Sequence, residues 1–438
     1  MSWQKKLFNL VGVKNDLASF FILLTYSILG FKFFRFIWRF SENILFWDQW
    51  DTFDAVLVNN NLTQVFLFQH NEHRMGVPLL IIKLMAHLTN WNVRFETFLT
   101  GLVIFTSAIL ALILKNKLTK KLEIYDIIIP FLFLNLYQWE NLIWGFQIGF
   151  VLPLFWLMLS VYVFTLKQST TRDVVLLVIS LLSAYSHFHG LFVSILIGIF
   201  FALNFSVEKT RRRQYGFLFI LTTFVMISYF LNYRESRYLG PGNYDIIEIF
   251  RYFAYQINGF IGLFSKKLPV YLLSFFTLGT FVHLLIKTNI KKNLLRNYSI
   301  FSLYLFTFMF SIATAVGRLG VGLDSAYTSR YATLIIPLFL GIYFYLQRFL
   351  RSERKTLVLT FALAFYVFIS AQNNHFNYIY AENRKISLAN WKQCYLEHES
   401  LDFCEKTKGY IIYHSPEKID LESKLYYLKR NRLNFYNE

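Results

Sequence analysis

The chain has 438 residues, of which 55% are hydrophobic, 20% aromatic and only 16% charged. That composition is too apolar for two or three soluble domains and fits a polytopic membrane protein. A formal charge of +18 does not indicate a nucleic-acid partner, because the basic residues fall mainly in short loops between apolar runs, where membrane topology collects them.

The apolar runs predict about eleven membrane-spanning helices, at roughly 17–38, 95–114, 124–138, 147–166, 173–187, 190–206, 215–233, 269–287, 298–316, 332–349 and 356–371. Several are shorter than the ~20 residues that a bilayer requires. The first sixteen residues carry Lys5, Lys6 and Lys14 without a cleavage-site pattern, so Leu17 onward is expected to be an uncleaved first helix. With alternating loops, one side collects twenty-one lysines and arginines in compact turns and the other eleven over longer stretches. That bias places the N-terminus in the cytoplasm and the 39–94 loop outside. An odd number of spans then puts residues 372–438 outside, beyond a transmembrane domain of 1–371. This tail is expected to form a small cap or an extended end. It holds the only two cysteines, Cys394 and Cys404, which either form a disulfide in an oxidising compartment or remain two unpaired thiols.

Chemistry concentrates in the first external loop. Asp48, Asp51 and Asp54 lie among Trp47, Trp50 and Phe53, and Gln69-His70-Asn71-Glu72-His73-Arg74 follows shortly after. Charged groups at a bilayer face are costly unless paired or functional. Apolar spacing predicts amphipathic helices over 51–59 and 77–88, with Pro78 in a first turn, lying in the membrane interface. Such placement suits an active site with one lipid substrate; the plainer alternative is that Asp48 and Asp51 cap a helix. His70, His73 and Glu72 are donor types for a divalent cation such as Mg or Mn, although their spacing is not that of a helical zinc pair. Hydrogen bonds from the histidines to the aspartates, or an Arg74 ion pair, would explain the same residues.

The second informative stretch is 317–331, which is rich in glycine and hydroxyls and holds Arg318, Arg330 and Tyr331. Two guanidiniums on the outer face suit a phosphate or pyrophosphate, with lipid anchoring as the alternative. Smaller signals are Glu140 and Gln147 in the tryptophan-bearing 139–147 turn, His187 and His189 at a hairpin mouth, and the polar 234–238 stretch. Asn61-Leu62-Thr63 matches a glycosylation acceptor, but the match is short and frequent by chance.

One span followed by a long acidic outer loop with interfacial helices resembles the C-type (GT-C fold) membrane glycosyltransferases. Trp47-Asp48-Gln49-Trp50-Asp51, His70-Asn71-Glu72-His73-Arg74, Trp144-Gly145-Phe146-Gln147 and Ser329-Arg330-Tyr331 resemble, more narrowly, a bacterial group of membrane proteins associated with surface-polysaccharide genes. The resemblance covers about residues 17–371. It implies an all-α GT-C-like fold in the plasma membrane. It further implies transfer of a sugar from a polyprenyl-phosphate-linked donor to a glycan or lipid-linked acceptor on the external face. It puts the catalytic base on Asp48 or Asp51; metal use differs within that superfamily. The physical logic adds His70, Glu72 and His73 around the acceptor or base, Arg318 and Arg330 on the donor phosphate, and Arg74, Gln147, His189 and Tyr331 as further binding residues. A polysaccharide polymerase of the O-antigen type is the second reading. A lipid-linked glycan flippase is the third, disfavoured by the scarcity of mid-span charges and of internal repeats.

Overall fold

The computed structural model describes residues 17–234, 245–262, 269–288, 290–350 and 352–437. Among these the chain is helical apart from one two-stranded hairpin. Among the described residues seven helices are long and apolar enough to cross a membrane: Leu17–Phe40, Val93–Thr119, Gly145–Phe164, Gly190–Val207, Asn297–Val321, Ser329–Phe349 and Arg354–His398. The protein is therefore an all-α integral membrane protein.

Three of the remaining four expected spans look different. The 124–138 run is broken into Ile124–Ile127, Ile128–Phe133 and Leu136–Gln138. Asn135 interrupts it, since its side chain accepts the Tyr137 amide and starts a new turn. Thr170–Ala184 has 15 residues, only ~22 Å of helix against ~30 Å of hydrocarbon. Arg212–Tyr229 opens on two arginines, whereas Pro269–Lys287 is a 19-residue helix with the expected bounds. Of the basic residues in the charge count, Lys5, Lys6, Lys14, Arg237, Lys266, Lys267 and Arg351 lie outside the described residues.

Close helix approach explains how the bundle packs. A Cβ on Gly101 would lie 2.5 Å from the Ile37 side chain, and one on Gly30 would lie 2.9 Å from Phe105. Small residues at those positions let the first two long helices meet, which is how helices associate where no hydrophobic drive separates them from lipid. Phe33, Ile104, Leu154, Leu196, Phe306 and Leu334 belong to the buried core that results.

A second apolar core lies under the first loop and joins it to the C-terminal region. Leu45, Trp50 and Trp91 from the loop pack in one cluster with Trp391, Ile412, Leu425 and Leu428. Trp50 and Trp391 are fully buried; a buried tryptophan removes 150–250 Å² from water, worth roughly 4–6 kcal/mol each. The expected boundary near 371 falls inside a single 47-residue helix, Ser352–His398, which carries the chain from the apolar bundle into a cap. That cap comprises Leu401–Lys408, Leu421–Arg430 and their connections. Cys394 and Cys404 form a disulfide, S–S 2.00 Å, between the long helix and the first cap helix.

Polar contacts fix the cap on the loop. The Trp47 amide donates to the Ile412 carbonyl at 2.9 Å and the Asn434 amide to the Asn90 carbonyl at 2.8 Å. Asn434 Nδ2 donates to Asn43 and to the Trp91 carbonyl, and Lys424 pairs with Asp54 at 3.2 Å. The expected 51–59 helix is a short Asp48–Asp51 helix followed by a wide turn at Asp54–Val58, whereas the 77–88 helix is present as Gly76–Thr89. The glycosylation-like triplet has a structural use: Asn61 caps the Leu62–Phe66 helix by accepting the Thr63 and Gln64 amides.

Candidate functional site

A tight hairpin, Gln69–His70 against His73–Arg74, pairs Gln69 with Arg74 and His70 with His73. Asn71 makes the turn at φ 49°, a conformation that asparagine adopts more readily than most residues. The Tyr229 hydroxyl holds the turn by donating to the Glu72 carbonyl at 2.7 Å. The hairpin thereby faces the Asp48–Asp51 helix, which begins after an unusual residue. Trp47 has φ 49° and ψ −123°, strained for a bulky side chain.

These segments wall an open cavity of about 900 Å³, with Asp48, Asp51, His70, Glu72, Glu140, Arg318 and Arg330 among its lining residues. His70 lies between the two aspartates: Nε2 is 3.8 Å from Asp48 Oδ2 and Nδ1 is 3.8 Å from Asp51 Oδ2. The Tyr413 hydroxyl, from the cap, donates to Asp51 Oδ1 at 2.5 Å. Glu72 sits 3.5 Å from His73 Nε2 and 4.0 Å from Arg318. Glu140 accepts from the Ser329 hydroxyl at 2.9 Å and from the Arg330 amide at 3.3 Å, which fixes the turn that presents Arg330. Asn141 supports the same turn by donating to the Arg330 carbonyl at 2.9 Å.

Electrostatics separate the neighbouring histidines. Burial works against a charged His70, yet its pairing with Asp48 and the charges of Asp51 and Glu72 outweigh burial and raise its pKa. Burial likewise opposes an ionised Asp48, but His70, Arg330 and His73 hold its carboxyl below the usual value. His73 is pushed down to about 3 by burial and by the charges of His70 and Arg318. It stacks on His187 with ring centroids 3.7 Å apart, and His187 is 4.7 Å from His189. Burial, reinforced by His73, drives both His187 and His189 well below the ordinary histidine value. The site thus has one histidine favoured as a cation and a neutral histidine stack behind it.

Of the residues singled out in the sequence, Asp48, Asp51, His70, Glu72, Arg318 and Arg330 line one cavity. His73 and His189 stand behind them in the stack. Tyr331 is buried between Phe150 and Phe310, and Gln147 is buried with its backbone N–H bonded to the Trp144 carbonyl; neither lines the cavity. Arg74 points elsewhere. Its guanidinium donates to the Leu67, Tyr229 and Leu231 carbonyls, so it ties the hairpin to the end of the Arg212–Tyr229 helix. Arg234 meets Gln69 through its backbone, while 235–238 lie outside the described residues.

Sequence reasoning missed Tyr413, His414 and Lys418, which the cap adds to the cavity wall. Glu140 drew notice without being assigned a role. Asp48, Asp51 and His70 each offer a ligand atom, all within 4.8 Å of one another; His73 is not part of that group. Comparisons with protein-family models, with curated proteins and with solved structures find no match to this chain.

Proposed function

We propose that this protein is a membrane glycosyltransferase of the GT-C kind, with about eleven spans and a cytoplasmic N-terminus in a bacterial plasma membrane. It transfers a sugar from a polyprenyl-phosphate-linked donor to a surface glycan or lipid-linked acceptor on the external face. The observation that carries this reading is the convergence, in one cavity, of a carboxylate pair around His70 from the first loop and two arginines from the 317–331 turn.

An acceptor hydroxyl is a weak nucleophile and needs a carboxylate within hydrogen-bond reach. Asp48 is the better base of the pair. Both oxygens of Asp51 face partners, Tyr413 and His70. Asp48 has one oxygen towards His70, and its carboxyl is held in the ionised form. The acceptor oxygen forms a bond to the anomeric carbon as its proton passes to Asp48. The bond from that carbon to the phosphate oxygen breaks, and the polyprenyl phosphate leaves with the electron pair. Direct displacement inverts the anomeric centre. Arg318 and Arg330 stabilise the negative charge that develops on the leaving phosphate. Glu72 positions Arg318, and His70 orients both aspartates.

With His70 deprotonated, Asp48, Asp51 and His70 would form a donor set of the kind that takes Mg or Mn. An ion held there would supply further charge stabilisation to a phosphate group.

The test compares the surface glycan of deletion cells with that of cells carrying Asp48→Asn, Asp51→Asn or both at normal membrane level. Loss of one sugar or branch in the Asp48→Asn and deletion strains is expected. Loss of long chains with single repeats kept would instead make the protein a polymerase. Full transfer in the double variant would show that the acids are structural and sink the proposal.

A further inference from the structure

We infer that the C-terminal cap builds the acceptor subsite, where Lys418, Trp47 and His414 take a sugar ring bearing an anionic group, a carboxylate or a phosphate. The inference rests on the glycosyl-transfer reading and names its acceptor class.

The charge inventory of the cavity points to an anion. Each carboxylate lining it has a partner: Asp48 has His70, Asp51 has His70 and Tyr413, Glu72 has His73 and Arg318, and Glu140 has Ser329 and the Arg330 amide. Lys418 lines the same cavity and is exposed; its amide donates to the Ser415 carbonyl, while its side-chain ammonium has no ion-pair or hydrogen-bond partner among the described residues. It stands on a segment of the chain remote from the arginines assigned to the donor. A lysine ammonium is a mobile point charge that suits a carboxylate or phosphate without the planar demands of arginine.

The aromatic wall points to a ring. Trp47 is 39% exposed although the neighbouring Trp50 is fully buried. Its backbone is held at positive φ by the bond from its amide to the Ile412 carbonyl, and strained residues of this kind cluster at ligand sites. The indole stacks on His414, 5.5 Å between centroids, so cap and loop meet at this wall, where Trp47 keeps part of its ring surface open to the cavity. Phe46 extends that wall, lying against Tyr410 of the cap at 5.9 Å. At about 900 Å³, the cavity is near the upper end of ligand pockets and has room for an acceptor residue beside the transferred sugar.

The experiment uses the full-length protein in detergent micelles and reads binding from tryptophan fluorescence. Its probes are tetragalacturonate, mannose 6-phosphate and neutral maltotetraose. Wild-type protein is expected to bind one or both acidic probes and to bind maltotetraose far more weakly. Lys418→Gln, a change at an exposed and unpartnered side chain, should weaken acidic-probe binding about tenfold, the loss expected for one charge-assisted contact. Dependence on Lys418 for tetragalacturonate alone would identify a carboxylate, and for mannose 6-phosphate alone a phosphate. Equal binding by wild type and Lys418→Gln, equal binding of maltotetraose, or no binding of either acidic probe would overturn the inference. Asp48→Asn in the same assay keeps the two readings apart. It should retain acidic-probe binding while losing transfer, whereas retained transfer by Asp48→Asn/Asp51→Asn would sink the catalytic reading and leave the acidic subsite standing.

Discussion

Arg74→Ala separates a structural arginine from a substrate-binding one. The side chain is buried, 6% exposed, and its guanidinium donates to three carbonyls, those of Leu67, Tyr229 and Leu231. Hydrogen bonds from a charged donor are worth about 1.5–3 kcal/mol each, so a simple sum would approach 5–9 kcal/mol. That sum is too large here. Leu67 and Leu231 are roughly half exposed, and water can reach their carbonyls once the guanidinium is gone. The expected loss is about 3–4 kcal/mol, dominated by the buried Tyr229 carbonyl and the vacated space. Arg74→Lys keeps the charge but not the fork and should lose about half as much. Urea unfolding of the detergent-solubilised protein, followed by tryptophan fluorescence, reads this directly, because Trp50, Trp91 and Trp391 report on the loop–cap core. An Arg74→Ala protein within about 0.5 kcal/mol of wild type, with weakened substrate binding, would refute the structural assignment.

The disulfide gives a second prediction. It closes a sequence separation of 10 residues, so Cys394→Ser/Cys404→Ser should cost the cap about 2–3 kcal/mol; limited proteolysis should then cut first within 399–420, and an unchanged cutting pattern would show that the loop–cap core suffices alone. The two hairpin histidines give opposite pH signs, measurable in EDTA as unfolding free energies of wild type, His70→Gln and His73→Gln. His70 has a raised folded pKa, so its stabilisation is fully present below the unfolded value of 6.5 and is lost as pH rises through the folded one. His73 is favoured neutral down to about 3. It therefore costs stability increasingly as pH falls below 6.5, by up to about 1.4 kcal/mol per pH unit. The advantage of wild type over His70→Gln should shrink towards alkaline pH and that over His73→Gln towards acid; parallel profiles would contradict the described electrostatics.

How much of this was legible in the sequence depended on the range of the interaction. Hydropathy is a local sum, so the membrane class, the helical class and the seven long apolar helices could be read directly. The breaks within the 124–138 run were not legible, because a single asparagine that bonds the Tyr137 amide and the Leu132 carbonyl interrupts a stretch whose mean hydropathy suits a span. Asp48, Asp51, His70 and Glu72 stood out because four ionisable groups clustered in an apolar chain. Arg74 stood out for the same reason and proved to bond backbone, since residue type alone does not say whether a guanidinium meets phosphate or carbonyl. Tyr413 lies 362 residues from Asp51 in the chain, and no periodicity or motif connects them.

That long-range contact has an energetic consequence for the site. Trp47 occupies a conformation that costs on the order of 1–3 kcal/mol, and its amide is satisfied by Ile412 rather than by its own helix. Asp51 is oriented by Tyr413, one residue from Ile412. Both restraints exist only when the cap is docked, and docking is driven by burial of Ile412, Leu425 and Leu428 against Trp50 and its neighbours. The first loop alone therefore does not set the geometry of its own acidic pair. The cap's apolar contacts offset the strain at Trp47, and the polar residues beside them complete the cavity wall, so folding of the tail and assembly of the site are one event.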